Sequence, residues 1–187
     1  MHYTGTIWRP PYEAYSLLVQ VTAGCTHHSC KFCTLYEDLP FKFKLSPFSE
    51  VKADLAEASK YYRKIPRIFF TGANPFVLNT EKLKTLAKMV KEYYPFYKTI
   101  GCFARITDIM PKSLEDLKEL RALGYDGITI GVETGDDESL TFMNKGFQSK
   151  DVLEQCRKLD EAGISYNFFY LTGIYGAGRG EVGAKKT

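Results

Sequence analysis

The sequence predicts an α/β fold of about five strand–helix units, with the strands parallel. Two observations predict it. Short β-branched or aromatic runs recur at intervals of roughly thirty to fifty residues, and stretches with helical period lie between them. A third agrees: two of those stretches end in a Leu-Gly or Ala-Gly step and lead straight into the next run. Strands joined through helices run parallel and need crossover connections. This pattern alone fits an open barrel or a doubly wound sheet. In both, functional groups gather on the loops that follow the strand C-termini.

The first strand is read at residues 15–21, Tyr-Ser-Leu-Leu-Val-Gln-Val, and the second at 67–70, Arg-Ile-Phe-Phe. The third covers 99–104, the fourth 127–132 and the fifth 166–171, each bounded by glycine or polar residues. Val51, Leu55, Ala58 and Tyr62 share one face of a helix after the first strand; Leu83, Leu86, Val90 and Tyr94 do so after the second. A third helix begins at Ser113, where Asp116 completes a weak capping box, and stops at Gly124. The fourth runs from about Ser149 to Ala162 and stops at Gly163. Residues 1–15 then form an N-terminal extension, 16–180 the core domain and 181–187 a C-terminal tail.

The 187 residues are enough to bury a substantial core as one domain. A net charge of +3 with scattered basic residues leaves no electrostatic footprint for nucleic acid. No run approaches the ~18 apolar residues that span a bilayer. The first residues, Met1 to Pro11, have neither a basic nor an apolar leader segment, so the expectation is a cytoplasmic protein. There the five cysteines are thiols, and a cluster of them reads as metal-binding or catalytic before it reads as disulfide-forming.

Such a cluster follows the first strand directly: Cys25, Cys30 and Cys33 lie within nine residues. Three thiolates on one loop can wrap one metal centre. Four-cysteine ligation is the norm for cubane clusters, so three leave one iron open, which catalysis needs. With His27 or His28 the same loop could instead make a Cys3His zinc site. A thiol redox pair of Cys30 and Cys33 is a weaker reading, because that motif belongs at a helix N-terminus. Glu133 leaves a buried apolar strand, and a carboxylate there is costly without a partner, so it is a site candidate. Cys102 and Cys156 read as buried small hydrophobes within a strand and a helix.

The segment Cys30-Lys31-Phe32-Cys33 resembles the end of the radical SAM signature, with four residues rather than the common three between the first two cysteines. Thr71-Gly72-Ala73-Asn74-Pro75 resembles the family's Gly-Gly-Glu or Gly-Gly-Asn-Pro loop, with Ala73 at the second glycine. Gly131-Val132-Glu133-Thr134-Gly135 is similar to the Gly-Val-Glu-Ser-Gly segment of members resembling methylthiotransferases, the Elongator catalytic subunit and oxygen-independent coproporphyrinogen oxidase. Arg105 after the third strand matches a frequent family arginine, and the loop 172–180 resembles the glycine-containing loop after the fifth. Asp136, Asp137 and Glu138 read only as a solvated helix start.

The resemblance implies a partial, incomplete β/α barrel and a [4Fe–4S] cluster held by Cys25, Cys30 and Cys33. It also implies S-adenosylmethionine (SAM) contacts from Phe32, Gly72, Ala73, Asn74, Arg105 and Glu133. Phe32 would lie against the adenine, Glu133 would meet the ribose diol, and Arg105 would meet the SAM carboxylate or Glu133. The implied reaction is reductive cleavage of SAM to a 5′-deoxyadenosyl radical that abstracts hydrogen from a substrate. An electron donor such as flavodoxin or ferredoxin is the implied partner. The family's barrel has six strands and five are legible here, which suggests a shortened or partner-dependent barrel. A non-catalytic zinc- or cluster-binding protein is the alternative.

Overall fold

The computed structural model describes residues 1–187. Five parallel strands form one sheet in the order β1 (Leu17–Gln20), β4 (Arg67–Thr71), β5 (Thr99–Ala104), β6 (Ile128–Glu133) and β7 (Tyr166–Tyr170). Each neighbouring pair is parallel, and β1 and β7 are free edges, so the sheet is an unclosed barrel segment. The parallel sheet has no sixth strand. Helices α1 (Phe48–Tyr61), α2 (Thr80–Tyr93), α4 (Leu114–Ala122) and α6 (Ser149–Ala162) connect the strands, with the single-turn α3 (Ile106–Ile109) just after β5.

Alternation along the strands divides the sheet into two faces. Val19, Ile68, Phe70, Ile100, Cys102, Ile128 and Ile130 join the core under the helices, together with Leu55, Leu86, Leu120 and Leu159. Each fully buried aliphatic or aromatic side chain of this layer contributes about 1.5–3 kcal/mol. Cys102 and Cys156 are both buried there. The intervening residues Gln20, Phe69, Thr71, Phe103, Thr129 and Phe169 carry the inner, concave face, where Phe69 meets Phe103 edge-on at 5.0 Å between ring centres.

Several helix boundaries follow from local chemistry. Ser113 Oγ accepts from the Asp116 amide at 3.0 Å while Asp116 accepts from the Ser113 amide at 2.9 Å. Gly163, left-handed at φ 72°, closes α6. Other expectations are corrected. Tyr62 lies beyond the end of α1 and is exposed rather than part of its buried face. The first strand breaks at Val21: β1 stays in the sheet, while β2 (Thr22–Gly24) pairs antiparallel with β3 (Phe43–Leu45) as a separate hairpin. Residues 181–185 of the tail join Gly180 in a helix, α7 (Gly180–Lys185). Asp136 is buried, capping α5 (Asp137–Phe142) through the Ser139 amide at 3.1 Å and pairing with Lys186 at 3.0 Å. No helix is long and apolar enough to cross a membrane.

Residues 1–15, the N-terminal extension, are bonded to the sheet. They cross the concave face as a strap: Thr4 and Gln20 exchange two hydrogen bonds of 2.6 and 3.0 Å, Thr71 Oγ1 donates to the Trp8 carbonyl at 3.2 Å, and the Tyr12 hydroxyl meets Thr129 Oγ1 at 2.8 Å. Glu13 ends the strap, buried against Arg67.

Candidate active site

The β2–β3 hairpin closes the base of the cysteine loop. Gly24, at φ 74°, leaves no room for a side chain, since a Cβ there would fall 2.3 Å from the Lys42 carbonyl oxygen. That close approach lets the Cys25 amide donate to the same carbonyl at 2.9 Å. Farther along, the Cys33 amide donates to the Cys30 carbonyl at 3.1 Å. The loop is then docked on the turn after α5. Lys31 N donates to Met143 O at 3.1 Å, Asn144 Nδ2 to Ser29 O at 2.9 Å, and the His27 ring sits 2.6 Å from Asn144 O. Burial lowers the His27 pKa. Its ring is therefore an anchor, already bonded to backbone.

The end of β4 reaches the same loop. Gly72, at φ 129°, lies directly on Thr22, where a Cβ would sit 2.1 Å from Thr22 Oγ1. Gly72 and Ala73 line the cavity beside the cysteines. Asn74 does not. It is fully buried behind the wall, donating to Thr26 Oγ1 at 2.8 Å and to both Asp108 carboxylate oxygens at 3.1 Å. Its amide thus ties the residue after Cys25 to the start of α3, a positioning task.

Glu133 closes β6 at a bulge, with φ 71°. A glutamate held in that left-handed region costs on the order of 1–3 kcal/mol, and such strain collects at functional positions. The carboxylate turns inward to Lys145, 3.2 Å away. Lys145 is itself buried and lies 5.5 Å above the ring centre of Phe32. Arg105 does not meet Glu133: its guanidinium donates to Thr107 Oγ1 at 2.9 Å and to the Lys145 carbonyl. Lys145 stands in Met143-Asn144-Lys145-Gly146, a turn marked by Asn144 at φ 56° and Gly146 at φ 80°. The polar turn was visible in sequence, but its contact with Glu133 was not.

Cys25, Cys30, Cys33, Phe32, Gly72, Ala73, Arg105, Glu133 and Lys145 open on one cavity of about 310 Å³. Its other walls include Phe103, Phe169 and the strap residues Trp8 to Pro11. All three thiols are free and half-buried. Burial pushes the Cys30 thiol up, against the pull of the Lys145 and Arg105 charges, and pushes Cys33 up as well. No three His, Cys, Asp or Glu side chains are gathered to hold a single ion. The three thiols share one cavity, and three thiolates are the donor set of a cubane cluster that keeps one iron open.

The sequence profile described as Radical SAM, the radical SAM superfamily, matches residues 19–183. The chain belongs to the radical SAM superfamily. The cofactors of that family are a [4Fe–4S] cluster and SAM. The chain is similar to an uncharacterized methyltransferase of Synechocystis sp., with 27% identity over 177 residues; the match covers 90% of this chain and 31% of the relative, so the chain spans about a third of that protein. Among solved structures it resembles the radical SAM methyltransferase TsrM from Kitasatospora setae, with cobalamin and a [4Fe–4S] cluster bound. The TM-score is 0.63 and the identity 16%, over 82% of this chain and 30% of that one. Coproporphyrinogen III oxidase HemN from Escherichia coli gives 0.57 and 20%, over 82% and 36%. These likenesses support the partial-barrel fold.

Proposed function

We propose that this radical SAM enzyme binds a [4Fe–4S] cluster through Cys25, Cys30 and Cys33 and holds SAM against Phe32, Gly72, Ala73, Arg105 and Glu133, with Asn74 as a positioning residue behind them. The observation that carries this reading is the sharing of one cavity by the three thiols, the Gly72–Ala73 backbone and the strained Glu133. When bound and reduced, the cluster supplies the electron that cleaves SAM to a 5′-deoxyadenosyl radical, which takes hydrogen from the substrate.

The protein's own residues bind, orient and shield. Gly72 and Ala73 bring bare backbone to the ligand, as only small residues allow. Glu133 offers two carboxylate oxygens, which suit the paired hydroxyls of a ribose, and Lys145 keeps that carboxylate aimed. Phe32 is 36% exposed and lines the cavity, and its ring is suited to stacking on adenine. Lys145 and Arg105 place positive charge beside Cys30, opposing the rise that burial imposes on its thiol.

The electron comes from an external donor of the flavodoxin or ferredoxin class. Free thiols and a reducible cluster suit a reducing compartment, the cytoplasm. Anaerobic reconstitution tests the reading. A dithionite-reduced EPR signal that shifts on adding SAM, together with release of 5′-deoxyadenosine, is expected. A colourless protein retaining stoichiometric zinc would overturn it.

A further inference from the structure

The strap holds residues 8–11 at a fixed place over the cavity. It is tied to β1 through Thr4, to β4 through the Trp8 carbonyl and to β6 through Tyr12, and Glu13 anchors its end. Pro10 and Pro11 restrict the backbone between those ties. Pro10 is buried, yet Trp8 keeps 44% of its surface open and Arg9 is exposed. Both line the cavity that the cysteines line.

The charges in that cavity are unequally committed. Glu133 is held by Lys145, and Arg105 spends its guanidinium on Thr107 and the Lys145 carbonyl. Arg9 uses one Nη1 donor, on the Ala14 carbonyl at 2.7 Å, and has no carboxylate partner. A guanidinium has five N–H donors, so the rest of its fork is free. Across the cavity, Phe103 and Phe169 lie 6.3 Å apart by ring centres and are only partly covered. An open indole, two further aromatic rings and a guanidinium with most of its donors free suit a flat apolar molecule with an anionic end.

We propose that Trp8 and Arg9 form a substrate subsite, in which Trp8 stacks on a planar apolar group and Arg9 receives its carboxylate or other anion. The proposal rests on the radical SAM reading, because the substrate must lie beside the cleaved SAM.

Trp8 is the only tryptophan of the chain, so its fluorescence reports on the subsite directly. Reconstituted protein with SAM is titrated with naphthalene-1-acetate and with the neutral naphthalene-1-acetamide, read by Trp8 emission and by calorimetry. The carboxylate is expected to change the emission and to bind about tenfold more tightly than the amide, as a charge-assisted hydrogen bond gives. Arg9→Gln should abolish that preference while Arg9→Lys keeps part of it. Trp8→Ala should weaken both probes by roughly tenfold. Both side chains are exposed, so circular dichroism should show folded variants.

Equal affinity for the two probes, unchanged emission, or unaltered binding in Arg9→Gln would overturn the subsite. The SAM-induced EPR shift is recorded on the same samples. If it persists while the probes ignore Trp8 and Arg9, the subsite fails and the family reaction stands; if it is absent, both fail.

Discussion

The concave face carries two buried carboxylate–cation pairs, one at each end of the strands, and they are built differently. At the N-terminal end, Arg67 forks onto Glu13 through Nε at 2.9 and 2.8 Å and also donates to Thr99 Oγ1, Asp126 O and Gly127 O. Ser16 adds a bond to the same carboxylate. Gly101 and Gly127 clear the space, since a Cβ on either would fall 2.4 or 2.6 Å from Arg67 Nη2. At the C-terminal end, Lys145 reaches Glu133 by one contact of 3.2 Å, beside an open cavity and on strained backbone. Burial is similar, 1% and 9% exposure for the two glutamates. Saturation separates them. The lower pair has spent its bonding capacity on the fold, whereas the upper pair leaves capacity unused beside the cavity.

The largest break in this division comes from the thiols. Replacing Cys25, Cys30 and Cys33 by alanine should reduce iron and sulfide to background after reconstitution, with far-ultraviolet circular dichroism unchanged, because none of the three belongs to the hydrophobic core. Loss of helical signal in the same variant would show that the loop also carries the fold. Next, Glu13→Gln leaves the Arg67 charge without its counter-ion. Breaking a buried pair costs about 3–5 kcal/mol, and the 28% exposure of Arg67 favours the lower end. Calorimetry should find Tm lowered by roughly 10 °C, with SAM affinity unchanged once the protein is folded.

The upper and lower ends were not equally legible in the sequence. Strand positions, the caps at Ser113 and Gly163, and the loops carrying the cysteines, Gly72 and Glu133 could be read from pattern, since each depends on neighbours within a few residues. What escaped depends on distant pairs. Glu13 and Arg67 are fifty-four positions apart, and nothing local marks Glu13 as buried. The same holds for Trp8 on Thr71 and for His27 on Asn144. Asn74 shows the converse: the motif named the residue, but its amide is used up on Thr26 and Asp108, contacts that only the folded chain creates. The break at Val21 was hidden because Val19, Val21 and Ala23 continue the strand pattern while the chain changes sheets.

Also at the C-terminal end lies Asp108, behind the cavity wall, accepting from Asn74 and from the Arg105 amide at 2.7 Å. Burial pushes its carboxyl up from 3.8 to about 6, against those hydrogen bonds and the Arg105 and Lys112 charges. The folded state therefore keeps a proton that the unfolded chain has released between these two values. Stability from this group is present below pH about 4 and is lost as pH rises through about 6. Asn at the same place does not titrate. The stability difference between the wild type and Asp108→Asn should shift in favour of the wild type on going from pH 7 to pH 4.5, by on the order of 2 kcal/mol, or roughly 4–8 °C in Tm. Parallel Tm curves would show that Asp108 is paired strongly enough to stay ionised. Lys112, pushed down to about 8 by its own burial, titrates above that window.

The sharpest use of the comparison is to make the Glu13 change again at the other end. Glu133→Gln keeps the side-chain length and the backbone position but removes the charge that holds Lys145 and would meet the ribose. Lys145 is buried, but it loses a single 3.2 Å contact where Arg67 loses a fork, and it keeps the Phe32 and Phe147 ring faces 5.5 Å away, so the change should cost only about 1 kcal/mol, a Tm shift of roughly 2–4 °C. SAM affinity, measured by the EPR shift or by equilibrium dialysis, should fall about tenfold, since one charge-assisted bond to the ligand becomes neutral. The two substitutions then cross: Glu13→Gln moves stability and spares binding, and Glu133→Gln moves binding and nearly spares stability. If Glu133→Gln instead lowers Tm by as much as Glu13→Gln and leaves SAM affinity intact, the strained glutamate is a second structural pin, and the unsaturated end of the sheet is no more a binding site than the saturated one.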